Sequence, residues 1–169
     1  MKHKSLNILK ITCIIALLFC IVMTTVFIFS NSVKSRELSS EQSGEIAQVI
    51  KPVVDPENKI PFNIFENKLR KAAHFTEFML LGFEAFALLT VVSKKAGRFD
   101  CRGILFVLLF LLIVANIDET IQLFTQRGSS VLDVWIDFCG GIFGCFMCAA
   151  IYFIAFFIKK SIKYQENHK

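Results

Sequence analysis

The stretch LFLLIVANIDETIQLF, residues 109–124, decides the fold of this chain. It opens as an unbroken apolar run, then sets Asp118 and Glu119 side by side, with Gln122 one turn after Asp118. A carboxylate inside such a run is costly. It is kept in a membrane helix when it faces a bundle interior or a water-filled cavity. The stretch therefore reads as a membrane-crossing helix with a polar purpose, and the rest of the chain can be tested for partners.

The composition agrees. Of 169 residues 54% are hydrophobic, 19 are Phe and one is Trp, and the mean hydropathy is +0.58. That is too apolar for an ordinary soluble domain. The apolar residues cluster into four spans, at about 9–30, 70–92, 103–124 and 131–158. The first carries no charge from Ile11 to Phe29, about 28 Å of helix against a hydrocarbon core of ~30 Å. It is longer than a signal-peptide core and reads as an uncleaved anchor. The second is interrupted by His74, Glu77 and Glu84. No repeat or low-complexity tract is visible. The expectation is a single all-α membrane domain over residues 1–169 with four transmembrane helices.

Orientation follows from Lys and Arg. The N-terminal tail, the connection SKKAGRFDCR and the C-terminal tail hold eleven of the 19 basic residues and two of the 14 acids. Both termini are expected in the cytoplasm. Residues 31–69, about 40 in all, form an outward loop between the first two spans. In that loop Ser39 or Ser40 can cap a short amphipathic helix lying on the membrane, with Ile46, Val49 and Ile50 on one face, and Pro52 ends it. The run FNIFENKLRKAAHF, residues 62–75, is expected to be helical where it leads into the second span. None of the six cysteines lies in this loop, so no disulfide framework is implied. Cys145 and Cys148 form a CxxC inside a greasy helix and read as small apolar filler. The basic tails are topology signals, not nucleic-acid sites.

Depth and angle place the polar residues together. At ~1.5 Å per residue, His74, Glu77 and Glu84 lie about 3, 8 and 18 Å below the outer boundary, and Asp118 and Gln122 about 9 and 3 Å. Asp133 and Asp137 stand in the outer headgroup zone, one turn apart. Gly140 and Gly144 continue their stripe as a GxxxG, which permits close helix contact. The short connection TQRGSSVLD forces an antiparallel hairpin and holds Arg127 over the mouth, with Arg70 and Lys71 reaching it from the second span. The predicted ligand-binding cluster is Lys71, His74, Glu77, Asp118, Glu119, Gln122, Arg127, Asp133 and Asp137, in one outward-opening pocket walled by the second, third and fourth spans. Asp118 and Glu119 differ by ~100° in direction. One is expected to face the second span and the other the fourth.

These residues carry a resemblance. KAAHFTEFMLLG resembles the Lys-x-x-His signature of the VanZ-like family of bacterial integral membrane proteins. DETIQLFTQRGSSVLDVWIDFCGGIFG resembles that family's longer signature, and FSNSVKSRELSSEQS its Ser-rich segment after the first helix. Asp137 stands where Asn is frequent, and Thr125-Gln126 where Pro-Gly is frequent. The resemblance implies a link to resistance against teicoplanin-type glycopeptides. Some members carry a phosphotransbutyrylase label, which no residue pattern here supports.

Three functions fit the residues. In the first, the pocket binds a cell-envelope ligand, such as a lipid-linked precursor or a lipoglycopeptide. In the second, the chain is a metal-assisted membrane enzyme acting on a lipid-linked phosphate or envelope precursor. Asp118, Glu119, Asp133 and Asp137 then hold a hard cation such as Mg²⁺, and His74 acts as acid or base. Against it, no recognised metal-ligand motif or cofactor site appears, and Lys71 and Arg127 compete for the carboxylates. In the third, Glu84 carries protons in a transporter; its plainer reading is a hydrogen bond to a neighbouring helix. Catalytic candidates are His74 and Glu119.

Overall fold

The computed structural model describes residues 2–93, 101–125 and 130–166, with five helices and no strand among them. They are α1 (Lys2–Val33), α2 (Arg36–Val54), α3 (Phe62–Val92), α4 (Cys101–Phe124) and α5 (Val131–Glu166). All but α2 are long and apolar enough to cross a membrane, as the four spans in the sequence require. The helices exceed the apolar runs that seed them. Hydrogen bonding continues into polar flanks because no Pro or Gly intervenes. The run 62–75 is indeed the first part of α3.

Successive apolar helices run antiparallel. Ser32 near the end of α1 bonds to Asp118 near the end of α4, and Lys71 early in α3 bonds to Asp133 at the start of α5. One end of the bundle thus gathers two helix ends and two helix starts. Helices α3 and α5 make the most extensive contact, and glycine permits it. A Cβ on Gly82 would strike the Gly141 carbonyl; one on Gly140 would strike the Phe75 carbonyl, and one on Gly144 the Met79 carbonyl. The GxxxG stripe therefore lies on α3 backbone. The core beside it holds Ile28, Phe78, Leu81, Leu111, Val114 and Ala115. Cys145 and Cys148 are buried free thiols in the same core, and the Cys145 Sγ donates to the Gly82 carbonyl at 3.3 Å. Outward, α1, α4 and α5 expose Phe19, Val22, Phe106, Phe146 and Phe157, among others. So large an apolar surface suits lipid, not water.

The loop helix differs from expectation at both ends. Its N-cap is Ser35, which accepts from the Leu38 amide at 3.4 Å. Ser39 is buried inside the helix, while Ser40 and Ser43 donate to Glu66 of α3 at 2.8 and 2.7 Å. Pro52 lies within the helix rather than ending it; it has no N–H for the Gln48 carbonyl, and the helix stops two residues later. Ala47 is buried while Ile46, Val49 and Val53 are exposed, so the apolar stripe points away from the bundle. The stop is made by Asp55. Its carboxylate accepts from the Lys59 and Ile60 amides at 2.9 Å each and pairs with buried Lys51 at 3.1 Å. Lys51 also donates to Asn58, whose φ of 52° closes the turn. The Ile60 amide, against the opposing effect of burial, and then Lys59 and Lys51 hold the Asp55 carboxyl below its ordinary range.

Candidate functional site

Asp118 anchors the site. It is fully buried, with one oxygen accepting from Ser32 Oγ at 2.6 Å and the other from Gln122 Nε2 at 2.8 Å. Gln122 reaches it because residues four apart share a helix face. The end of α1 is tied down further by Thr125, whose hydroxyl donates to the Ser32 carbonyl at 3.1 Å. His74 of α3 closes on the same carboxylate: its Nδ1 lies 3.8 Å from Asp118 Oδ2 and 3.8 Å from Glu77 Oε2. Glu77 in turn accepts from Asn31 Nδ2 at 3.0 Å.

Glu119 points elsewhere. It accepts from the Ser130 amide at 3.2 Å, just before α5, and the Ser130 hydroxyl caps that helix by accepting from the Leu132 amide at 3.2 Å. Asp118 thus faces α3 and α1, while Glu119 faces the start of α5, as their angular separation requires. From α5, Asp133 pairs with Lys71 at 2.5 Å. Asp137, one turn deeper, is 1% exposed, and its Oδ2 has no hydrogen-bond partner among the described residues. The depth count puts Asp137 in a headgroup layer. Instead α5 packs so closely on α3 that the carboxylate is sealed between helices.

A cavity of about 40 Å³ results, lined by Asn67, Arg70, Lys71, His74, Glu119, Gln122, Asp133, Ile136 and Asp137. At 10–15 Å³ per water centre it holds roughly three waters. Beside it lies a wider cleft of about 220 Å³ between α1, α2 and α3, and Arg70 and His74 line both spaces.

Of the nine residues predicted to cluster, Lys71, His74, Glu119, Gln122, Asp133 and Asp137 line the cavity. Asp118 sits behind it, and Glu77 lines the adjoining cleft. Arg127 lies outside the described residues. The pocket walls were expected from the second, third and fourth spans, yet α1 also contributes: Ser32 holds Asp118 and Asn31 holds Glu77. The available signal was the polar run Ser30-Asn31-Ser32 at the end of an otherwise apolar span. Asn67 was also missed, one turn before Lys71 on α3. Glu84 stands apart, accepting from Thr24 of α1 at 3.1 Å, the plainer of its two readings.

A small cavity with carboxylates, an imidazole and two basic side chains on its walls can take up a compact charged group. Neither a curated protein nor a solved structure is significantly similar to the chain. The family model described as VanZ/LLP1 matches residues 14–157, a stretch that contains the whole polar cluster, and the chain belongs to the VanZ-like family.

Proposed function

We propose that the chain is a multi-pass protein of the bacterial plasma membrane with both termini in the cytoplasm. Its polar pocket opens outward at the outer leaflet and binds a cell-envelope ligand, a lipid-linked wall precursor or a lipoglycopeptide. Through that binding it lowers susceptibility to teicoplanin-type glycopeptides. The observation that carries this reading is the pairing of two spaces at His74 and Arg70. The 40 Å³ cavity has room for a compact charged group such as one phosphate, while the 220 Å³ cleft under α2 leaves room for part of the larger body attached to that group. The basic pair Arg70 and Lys71 suits a phosphorylated or acidic head group. The exposed Ile46, Val49 and Val53 stripe of α2 would rest on the outer membrane surface above it.

The test is glycopeptide susceptibility of a sensitive host expressing the chain. Glu119→Gln keeps the shape and removes the charge; it should return the host to parental susceptibility with near-normal membrane abundance. Arg127→Ala should do the same, and Lys94→Ala should change nothing. Full activity in both Glu119→Gln and Arg127→Ala would reduce the acids to scaffold. Loss of activity that merely tracks loss of protein would assign their cost to folding.

The enzyme reading, with His74 as acid or base on a lipid-linked phosphate, is favoured by one contact, His74 against Asp118. A divalent-metal requirement in the same assay would move it ahead. The transporter reading through Glu84 has no comparable support, since Glu84 lines neither the cavity nor the cleft.

A further inference from the structure

We infer that His74, Asp118 and Asp137 form a binding site for a divalent transition cation at the inner end of the cavity. One ligand atom from each residue lies within 4.8 Å of the other two. The three come from α3, α4 and α5, which are rigid helices rather than loops, as a preorganised metal site needs.

Asp137 supplies the independent observation. It is almost fully buried, its Oδ2 is without a hydrogen-bond partner among the described residues, and it lines the same cavity as His74. A buried carboxylate left this way is expensive unless a cation meets it or it takes up a proton. The described neighbours do not relieve it. Glu77, Glu119 and Asp133 add negative charge from α3, α4 and α5, Lys71 is engaged with Asp133, and Arg70 donates to Asn67 at 3.1 Å. A bound dication offsets the crowded carboxylates.

The geometry needs a small contraction. Around an ion with ligands at ~2.1 Å, neighbouring ligand atoms stand roughly 3.0–3.4 Å apart. Closing a pair from 4.8 Å takes about 1.4–1.8 Å shared between two side chains, within reach of χ changes and without backbone shift. Asp118 is already oriented for the task. Ser32 and Gln122 hold its two oxygens, and each oxygen keeps a lone pair for a metal. Such outer partners are what orient a ligating carboxylate. One imidazole with two carboxylates favours Mn²⁺ or Zn²⁺ over Mg²⁺ and Ca²⁺, which take oxygen alone. Three protein ligands leave coordination positions facing a space of about three waters. With Arg70 and Lys71 at its rim, that space fits phosphate oxygen. This site differs from an all-carboxylate set, because Glu119 and Asp133 are committed to Ser130 and Lys71.

The inference concerns the proposed pocket but not which envelope ligand fills it, so its test reads metal directly. The full chain, purified in detergent without a histidine tag, is titrated with Mn²⁺ and followed by the loss of the free-ion electron paramagnetic resonance signal. Zn²⁺ and Mg²⁺ serve as competitors. The expected result is one saturable site per chain that Zn²⁺ displaces and equimolar Mg²⁺ does not. Asp137→Asn and His74→Gln should each weaken it by about tenfold or more, while Glu84→Gln leaves it unchanged. Circular dichroism and gel filtration establish that each variant is folded. Two variants on different helices keep the test sharp if one fails to fold. Absence of a saturable site in the wild type overturns the inference. A site that survives both substitutions, or that Mg²⁺ displaces as readily as Zn²⁺, also overturns it. None of these outcomes bears on the glycopeptide assay, which can fail or succeed separately.

Discussion

Adjacent acids at the start of a polar layer do different work. Asp118 is the structural member, held by Ser32 of α1 and Gln122 of its own helix. Removing one donor from a buried carboxylate leaves it under-bonded, at a cost of about 1–3 kcal/mol. Ser32→Ala should therefore lower the thermal midpoint of the detergent-purified protein, because it also loosens the junction of α1 with α4. Ser30→Ala is the contrast. Ser30 is exposed and donates only to the Val26 carbonyl of its own helix, so its loss should be close to neutral. Equal effects from the two would mean that the Ser32 bond carries no weight. Glu119 is expected to be the more expendable member for folding, since its bond to the Ser130 amide reaches a helix entry rather than the bundle core. For that reason Glu119→Gln, not Asp118→Asn, is the variant that separates function from stability.

Elements meet here through small residues and end through polar ones. Gly144 faces the Met79 carbonyl so closely that even one methyl group collides with backbone. Gly144→Ala should destabilise the α3–α5 pair by at least about 1 kcal/mol, the lower end of overpacking costs. Gly44 in α2 meets nothing within 4 Å of an added Cβ. Gly44→Ala should instead leave stability unchanged or raise it by up to about 1 kcal/mol, through helix propensity. A thermal melt of the two variants decides this, and the same sign for both would refute the close-contact account. The end of α2 carries a pH dependence. A carboxyl held below its ordinary value contributes stability above the unfolded value, and the contribution is lost as pH falls through the folded one. For Asp55 the turn at 55–60 should stay protected from neutral pH down to about 3.9, the ordinary Asp value. It should open only below that. Hydrogen exchange at Lys59 and Ile60 measures it, and Asp55→Asn should abolish the step.

At the scale of the whole molecule, the apolar helices run antiparallel and bring every member of the polar cluster among the described residues to one end. The proposed topology, which rests on charge asymmetry, puts that end outside. Cys101, at the start of α4, is a native reporter because it is exposed and lies at the opposite end. An impermeant thiol reagent should label it only from the cytoplasmic side. A cysteine placed at Glu57 should be labelled from outside, and one at Gln165 from inside. Outside labelling of Cys101 would turn the polar end towards the cytoplasm and end the proposal of an envelope ligand, while leaving the metal site untouched.

Four membrane-crossing helices, their order and the grouping of His74, Asp118, Glu119, Gln122 and Asp133 were legible in the sequence. Hydropathy and a period of ~3.6 residues act locally along one chain, so depth and helix face can be counted without knowing any neighbour. The share of α1 in the site was not legible in that way, because Ser32 and Asn31 matter only once a different helix stands beside them. The burial of Asp137 was likewise decided by tertiary structure. By count it belongs to a hydrated boundary, and the glycine-permitted approach of α5 to α3 buries it between helices. The sequence determined which residues could be polar inside a membrane protein; packing alone decided which of them the helices bury, because burial depends on how closely two backbones approach.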